Sequence, residues 1–274
     1  MTVQTALLQG TKLLEEAAIG VPRLTGEVLL AHALGRDRTY LYAYPEHELS
    51  EVEWLHYGRY LHERLSGKPT QYITGRQEFY GREFRVNRDV LIPRPETEHV
   101  VEAALEIMGN KPRVVDVGTG SGALAITLQL ETQAQVIATD ISPAALRVAA
   151  ENARRLGSAV HFVACDLAAA IGDGTQHLVV SNPPYVPLAD AAGLQREVRD
   201  YEPHVALFAG PTGFEIYERL IAEAARILRP GGWLVMELGF GSYGRVESML
   251  RPCWRDIRIQ PDLAGIPRVI MARA

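Results

Sequence analysis

Three glycines alternate with small polar residues at the end of a short apolar segment, in an arrangement suited to ligand binding. Residues 113–117 are predicted to form a buried strand, and a helix is predicted to begin at about Ala123. Glycine permits a sharp turn and lets a ligand approach the backbone more closely than any Cβ would allow. The sequence therefore predicts that a nucleotide-like ligand lies against the intervening turn, which comprises Gly118, Thr119, Gly120, Ser121 and Gly122.

The glycines alone do not determine which nucleotide binds, because the spacing of Gly118, Gly120 and Ala123 also satisfies a relaxed NAD-binding fingerprint. Asp116, at the tip of the predicted strand, favours a different ligand. Its carboxylate can accept hydrogen bonds from an ammonium group, whereas it would repel a pyrophosphate. S-adenosylmethionine carries an ammonium group and no phosphate, so we predict that it is the cofactor and that S-adenosylhomocysteine is the product.

Two further predicted strands also end in aspartates. Asp140 follows the strand 135–139, where a carboxylate can hold both hydroxyls of a ribose. A turn or N-cap role is the alternative, although Ser142 already suits the N-cap of the next helix. Asp166 could accept a hydrogen bond from an adenine amino group while Leu167 packs on the ring, but an ordinary loop aspartate explains this position equally well.

The most specific signal is a proline-rich segment that directly follows the predicted strand 177–181. Two consecutive prolines keep the backbone extended and remove two N–H donors, so the segment presents oxygen acceptors. The lone pair of an amide nitrogen is delocalised, and acceptors for both of its hydrogens would orient it and stabilise positive charge as it reacts. We predict Asn182 Oδ1 and the Pro183 carbonyl as these acceptors, with Tyr185 packed on the planar amide; a stiff loop with an ordinary aromatic is the alternative. The complete predicted substrate-binding set is Asn182, Pro183, Pro184 and Tyr185, and Asn182 also borders the cofactor.

The elements that position these residues follow from the hydrophobic pattern. In residues 1–75, apolar residues at helical spacing and a capping-box pattern at Ser50 and Glu53 predict a small helical bundle. Residues 76–95 are predicted to form a linking β-hairpin with its turn at Gly81-Arg82. In residues 96–274, short apolar segments alternate with amphipathic ones, which predicts an α/β domain with a mostly parallel sheet.

The last two predicted strands, 256–259 and 267–272, lack a helix between them. Parallel neighbours need a long crossover, whereas antiparallel neighbours do not. These strands are therefore predicted to form an antiparallel hairpin at the edge of the sheet.

Composition excludes several classes of protein. The formal net charge is −5, and residues 1–95 are balanced, with 12 Lys and Arg against 12 Asp and Glu, so direct nucleic-acid binding is not expected. Two distant cysteines and scattered histidines predict neither a disulfide framework nor a metal site. Without a signal-peptide pattern or a long apolar segment, we expect a cytoplasmic protein that does not enter a membrane. We also expect a monomer.

On these motifs and four further stretches, the chain resembles the HemK/PrmC family of release-factor glutamine N5-methyltransferases over nearly its full length. N-P-P-Y alone is shared with methyltransferases that act on adenine amino groups, so the stretch I-P-R-P-E-T-E carries much of the family specificity. One departure is Gly210–Phe214, where many relatives have an acidic residue and Gly-Leu; it concerns a loop detail. The four stretches are 71–75 (Q-Y-I-T-G), 79–81 (F-Y-G), 91–98 (L-I-P-R-P-E-T-E) and 201–207 (Y-E-P-H-V-A-L).

The resemblance implies a seven-stranded, Rossmann-like methyltransferase domain behind a helical domain that helps to seat a protein substrate. It implies methylation of the glutamine in the Gly-Gly-Gln loop of peptide-chain release factors, a step connected with translation termination. It also makes residues 182–185 the glutamine-binding set, and Gly118–Gly122 with Asp140 the cofactor-binding set.

Three other functions remain open at this stage. An adenine N6-methyltransferase would use the same amino-group geometry, but it would be expected to carry a basic recognition surface, which the neutral front segment does not supply. A non-catalytic nucleotide-binding or ribosome-associated module would leave N-P-P-Y unexplained. An NAD-dependent oxidoreductase is the most distant alternative.

Overall fold

A computed structural model describes residues 1–109 and 112–274 of the chain. These residues form two compact units. The first unit comprises Met1–Arg76 and Gln195–Tyr201, and the second comprises Gln77–Leu194 and Glu202–Ala274, apart from the two residues outside the description.

The first unit is helical, as the sequence predicts. Ser50 and Glu53 form the predicted capping box, in which the Ser50 side chain accepts from Glu53 N and the Glu53 side chain accepts from Ser50 N. Buried Glu27 accepts hydrogen bonds from Arg23, Arg38 and Tyr42, so its charge is paired. The helices are α1 (Val3–Glu16), α2 (Pro22–Leu34), α3 (Arg38–Ala43), α4 (Glu51–Leu65) and α5 (Thr70–Thr74), together with the later α9 (Arg196–Tyr201).

The second unit contains the strands and the remaining helices. The strands are β1 (Arg76–Phe79, whose first residue belongs to the first unit), β2 (Arg82–Arg85), β3 (Arg113–Val117), β4 (Gln135–Asp140), β5 (His161–Ala164), β6 (Gln176–Ser181), β7 (Val186–Pro187), β8 (Phe208–Gly210), β9 (Leu228–Glu237), β10 (Arg255–Pro261) and β11 (Pro267–Arg273). The helices are α6 (Glu98–Ile107), α7 (Ala123–Thr132), α8 (Pro143–Leu156), α10 (His204–Leu207), α11 (Glu215–Ile227) and α12 (Tyr243–Leu250), with short 3-10 helices at Pro95–Thr97 and Leu188–Gly193.

Seven strands form one mixed sheet in the order β10-β11-β9-β6-β3-β4-β5. The five strands from β9 to β5 are parallel, whereas β11 runs antiparallel to both β9 and β10. The predicted α/β class and the antiparallel edge hairpin are therefore confirmed. The hairpin occurs because a short loop can join antiparallel strands without a crossover helix.

Alternate residues of each strand bury against opposite faces of the sheet, as the pleat of a strand requires. Val114 lies in the core that contains α6 and α7, and Val115 lies in the core that contains α11 and α12. Helices thus cover both faces of the sheet. Both cores hold the strand ends in place, and those ends carry the candidate site.

The linking hairpin differs from the prediction at its turn. Tyr80 and Gly81 occupy the turn, with φ of +50° and +69°, whereas the sequence predicts a turn at Gly81-Arg82. Arg82 instead begins β2, where its guanidinium pairs with Glu131. Tyr80 tolerates the left-handed conformation because its N–H donates to Glu98 Oε1 and its ring packs on the core.

Asn152 of α8 joins three backbone groups in the interior of the second unit. Its Oδ1 accepts from Arg85 N at 2.8 Å, and its Nδ2 donates to Arg85 O at 3.0 Å and to Ser121 O at 2.9 Å. The side chain is fully buried. Asn152 therefore fixes β2 and the glycine turn to the same helix.

We predict that Asn152→Ala lowers the free energy of unfolding by about 3 kcal/mol, because it removes one buried hydrogen bond, to Ser121 O, and two partly buried ones, with Arg85 N and O. Urea denaturation measures this change. Asn87→Ala is the matched control, since Asn87 is exposed and its side chain bonds Asp89 at the surface, so its loss should cost about 1 kcal/mol or less. Equal losses in the two variants would contradict the role assigned to Asn152.

Candidate active site

The parallel register brings the chemically notable residues to one edge of the sheet. Asp116 pairs in register with Val180, and Ser181 with Met236, so the carboxyl ends of β3, β6 and β9 lie side by side. The end of β4 is adjacent to that of β3. In open α/β sheets, ligands bind outside the carboxyl ends of the strands, where the strand order changes direction. Here that change falls between β3 and β6.

The glycine turn has the strand-turn-helix form that the sequence predicts, but its glycines are needed for different reasons. All three have positive φ. A Cβ added to Gly118 or Gly120 would meet no atom within 4 Å, so open space borders the turn there. A Cβ on Gly122 would lie 2.7 Å from Ile126 Cδ1, so this glycine serves the packing of α7. The first two glycines therefore provide the surface that a ligand can approach.

Asp116 is enclosed beneath this turn. Its Oδ2 accepts from Thr119 Oγ1 at 2.6 Å and from Ala125 N at 3.2 Å, while its buried Oδ1 has no hydrogen-bond partner among the described residues. Burial is the main reason that the pKa of Asp116 is raised, to about 7, and the nearby Asp140 carboxyl also raises it. An unpaired buried carboxylate is costly, so this oxygen would gain from a cationic partner.

Asp140 joins the turn to the next helix. Its Oδ2 accepts from Gly120 N at 2.9 Å, and its Oδ1 accepts from Ser142 N at 2.8 Å. Ser142 caps α8, as predicted from the sequence. Burial raises the pKa of Asp140. Each carboxylate oxygen of Asp140 can accept a second hydrogen bond, so these contacts permit binding to ribose hydroxyls. Ribose binding by Asp140 stays a prediction.

Asp166 and Leu167 follow β5 at the same edge of the sheet. Asp166 is exposed, and its Oδ2 accepts from Arg219 at 2.5 Å. Leu167 has a φ of +47°, and its carbonyl accepts from the buried Thr139 hydroxyl at 2.7 Å. The leucine side chain is partly buried against the core. Their contacts with an adenine also stay a prediction.

Residues 182–185 continue from β6 beside the end of β9. Pro183 is buried, whereas Asn182, Pro184 and Tyr185 are partly exposed. The Tyr185 ring contacts the backbone at Gly239, where an added Cβ would lie 2.8 Å from Tyr185 Cδ2. Burial raises the pKa of Tyr185 to about 12, so the ring is neutral at physiological pH. The loop thus combines a fixed aromatic ring with proline-restricted backbone.

The sequence patterns assign no role to Thr97 and Glu237. Thr97 contacts this loop directly, and Glu237 contacts it through Thr97. Asn182 Nδ2 donates to Thr97 Oγ1 at 3.0 Å, and Thr97 Oγ1 donates to Glu237 Oε2 at 2.5 Å. Thr97 and Glu237 are 5% and 2% exposed, respectively. Glu237 could have been found by the criterion applied to Asp140, since it is a carboxylate at the carboxyl end of a parallel strand.

The stretch 91–98 is held in place by a buried acid from the stretch 201–207. Glu202 accepts from Ile92 N at 3.2 Å and pairs with Arg94. Its side chain is 1% exposed. This pair connects two of the stretches on which the family resemblance depends, and it fixes the loop that carries Thr97.

Comparison with known proteins assigns both parts of the chain. Residues 5–75 match the PrmC N-terminal domain, and residues 98–195 match the Methyltransferase small domain. Among solved structures, the hMettl16 catalytic domain bound to a MAT2A 3′UTR hairpin has a TM-score of 0.59 at 14% identity, covering 89% of this chain and 90% of that one. A methyltransferase from Pyrococcus furiosus has a TM-score of 0.55 at 16% identity, covering 71% and 90%. The match over residues 98–195 thus identifies a methyltransferase domain, and the solved structures share its Rossmann-like fold.

Curated relatives identify the family more narrowly. A release factor glutamine methyltransferase of Koribacter versatilis is 47% identical, and the alignment covers 100% of this chain and 99% of that one. One from Nitratidesulfovibrio vulgaris is 42% identical, covering 99% and 95%. The chain belongs to the release factor glutamine methyltransferase family. Among its described residues, no helix combines the length and apolar character needed to span a bilayer.

A methyltransferase of this class depends on S-adenosylmethionine, and the residues of the turn fit that molecule. Open space beside Gly118 and Gly120 leaves room for a ligand. The unpaired Asp116 oxygen suits an ammonium group, although Asp116 has no exposed surface and a small shift of the turn would be needed for direct contact.

We predict that cofactor affinity depends on the ionisation of Asp116. A neighbouring ammonium favours the carboxylate, so affinity should rise as pH rises through about 7, the pKa of Asp116. Below that pH, the dissociation constant should increase roughly tenfold per pH unit. Isothermal titration calorimetry between about pH 5 and pH 7, where the cofactor amine stays charged, measures the effect.

Asp116→Asn should remove this pH dependence, whereas the surface variant Asp256→Asn should retain it. A dissociation constant that does not change with pH in the unmodified enzyme would show that Asp116 does not contact the ammonium group.

Proposed function

We propose that this enzyme transfers a methyl group from S-adenosylmethionine to the side-chain amide nitrogen of the glutamine in the Gly-Gly-Gln motif of peptide-chain release factors. The names of the full-length relatives support this substrate. The observation that carries the chemistry is the orientation of Asn182. Its Nδ2 is bonded inward to Thr97, which leaves Oδ1 as the acceptor on the other side of the amide.

The proposed cofactor site extends along the ends of β3, β4 and β5. Asp116 interacts with the ammonium group, Asp140 with the ribose, and Asp166 and Leu167 with the adenine. When bound, the cofactor supplies a methyl group on a positively charged sulfur. The remaining contacts come from the turn, Gly118, Thr119, Gly120, Ser121 and Gly122, and from Asn182 at its border.

The proposed glutamine site uses the groups that follow β6. Asn182 Oδ1 and the Pro183 carbonyl accept the two hydrogens of the amide nitrogen, while Pro184 stiffens the loop and Tyr185 packs on the amide plane. Neither acceptor is a base that could remove a proton from an amide beforehand. Their contribution is to align the nitrogen and to stabilise positive charge as it develops.

The overall bond changes are simple. A bond forms between the glutamine nitrogen and the methyl carbon while the bond from that carbon to sulfur breaks, leaving a neutral thioether. The nitrogen then loses one of its two protons to solvent. Because the positive charge moves from sulfur to nitrogen, oxygen acceptors placed at the nitrogen stabilise the transition state more than the ground state.

The three parts of the chain would have different tasks. We propose residues 1–75 as the part that seats the protein substrate, 76–95 as the link and 96–274 as the catalytic part. The first assignment is supported by the match to the PrmC N-terminal domain. A release-factor substrate places the reaction in the cytoplasm, and all the proposed site residues come from one chain, so a monomer suffices.

The central test is methyl transfer from labelled S-adenosylmethionine to purified release factor, with the methyl position mapped by mass spectrometry. We expect the label on one glutamine, within Gly-Gly-Gln. Labelled DNA or RNA and unlabelled protein would instead establish the adenine alternative. The structural likeness to the hMettl16 catalytic domain bound to a MAT2A 3′UTR hairpin does not favour that alternative, because likeness at 14% identity concerns the fold alone.

We predict that Asn182→Ala lowers kcat on the order of 10³-fold, because it removes a charge-stabilising acceptor from the reacting nitrogen. Cofactor affinity, measured by calorimetry, should change less than about threefold, since one contact at the border of that site is lost. Asn87→Ala provides a matched control at an exposed position. If Asn182→Ala turned over at the unmodified rate, its amide would have no part in catalysis.

A further inference from the structure

The Asn182 amide can be turned two ways, and only one way serves the proposed reaction. Its oxygen and its NH2 group have nearly the same shape, but the NH2 group cannot accept a hydrogen from substrate. An inverted amide would place two donors, its own NH2 and that of glutamine, against each other. Something in the protein must therefore determine the orientation.

Thr97 determines the orientation of the Asn182 amide, because its hydroxyl has a single hydrogen to donate. A hydroxyl has one hydrogen to donate and lone pairs to accept with. The hydrogen of Thr97 goes to Glu237 Oε2, so a lone pair is left for Asn182 Nδ2. A carboxylate can only accept, and this fixes the direction of both hydrogen bonds.

We propose that Thr97 and Glu237 are positioning residues that hold the Asn182 amide with its oxygen towards the substrate nitrogen. This inference rests on the proposed function, because it concerns the same amide acceptor. The negative charge of Glu237 also polarises the hydroxyl and, through it, the amide. Asn182 Oδ1 thereby becomes a stronger acceptor for an N–H that is gaining positive charge.

Protonation of Glu237 would reverse the chain of hydrogen bonds. A neutral carboxylic acid donates to Thr97 Oγ1, the Thr97 hydrogen then turns towards Asn182, and the amide must invert to present its oxygen inward. Burial raises the pKa of Glu237 to about 7, which places this change near neutral pH. The charged and titratable groups around Glu237 are Glu96, which raises its pKa, Arg94 and Arg268, which lower it, and the neutral hydroxyls of Tyr185 and Tyr217.

Substitutions at Thr97 separate positioning from a merely structural role. Thr97→Val keeps the shape and removes the hydroxyl, and we expect kcat to fall on the order of 10²-fold while KM for the cofactor and for the release factor stays within about twofold. Thr97→Ser restores the hydroxyl and should recover kcat to within about threefold. Thr127→Val is the matched control: Thr127 is buried like Thr97, its hydroxyl has no partner among the described residues, and its loss should leave kcat unchanged.

The pH profile tests the role of Glu237. In the unmodified enzyme, kcat should fall as pH falls through about 7, because the carboxylate is the form that orients the amide. Glu237→Gln should abolish this acidic limb and lower the plateau about tenfold, since a neutral carbonyl accepts more weakly than a carboxylate. Asp116 also has a pKa raised to about 7, but a limb that came from Asp116 would persist in Glu237→Gln.

A spectroscopic measurement tests the positioning even without turnover. In ¹⁵N-labelled enzyme, the side-chain NH2 resonances of Asn182 should shift with a midpoint near pH 7, and Glu237→Gln and Thr97→Val should each remove that shift while Thr127→Val retains it. Failure of the unmodified enzyme to methylate release factor would contradict the proposed function and leave this readout intact. Thr97→Val with normal kcat, or an Asn182 titration that survives Glu237→Gln, would overturn the positioning proposal.

Discussion

A threonine hydroxyl carries one hydrogen, and the acceptor side of the proposed target subsite would depend on where that hydrogen points. Thr97 gives it to buried Glu237, so Asn182 must bond inward through its NH2 group. These three residues come from a 3-10 turn, the end of β9 and the end of β6. The fold has to bring three distant parts of the chain together before one amide is oriented. Two other contacts help to orient this amide. The Arg94–Glu202 pair fixes the 3-10 turn. Tyr217 fixes the end of β9, because its hydroxyl donates to Glu237 O and accepts from Gly239 N.

The order of the strands separates two tasks along one edge of the sheet. The proposed cofactor residues follow β3, β4 and β5, and the proposed glutamine residues follow β6, on the other side of the point where the strand order reverses. Ser181, the last residue of β6, donates to Val117 O at 2.7 Å and so joins the two sides. A nitrogen held after β6 is therefore adjacent to a ligand held after β3. This adjacency follows from the parallel register, and it would let the four residues 182–185 border the proposed cofactor site and form the proposed target subsite.

Local patterns in the sequence predicted much of this arrangement. The capping box at Ser50, the helix between Ser142 and Gly157, the glycine turn and the edge hairpin each leave a signal within a few residues, because caps and turns depend on local backbone geometry. The contacts of Thr97 could not be predicted in this way, since its partners lie 85 and 140 positions away and a hydroxyl bonded to a carboxylate has no characteristic spacing. The sequence predicts the hairpin turn one residue too late for a similar reason, because the turn at Tyr80 depends on Glu98, which lies outside the hairpin. Helix α9 likewise belongs to the first unit through the Arg64–Glu197 ion pair with α4.

In the proposed reaction, oxygen acceptors after β6 hold an amide nitrogen beside the cofactor site. A crystal structure of the enzyme with S-adenosylhomocysteine and a Gly-Gly-Gln peptide tests it most directly. We expect Asn182 Oδ1 and the Pro183 carbonyl each within about 3 Å of the glutamine nitrogen, which should face the thioether sulfur. A complex in which those two oxygens point away from the sulfur, or in which the Asn182 NH2 group faces the glutamine, would contradict it.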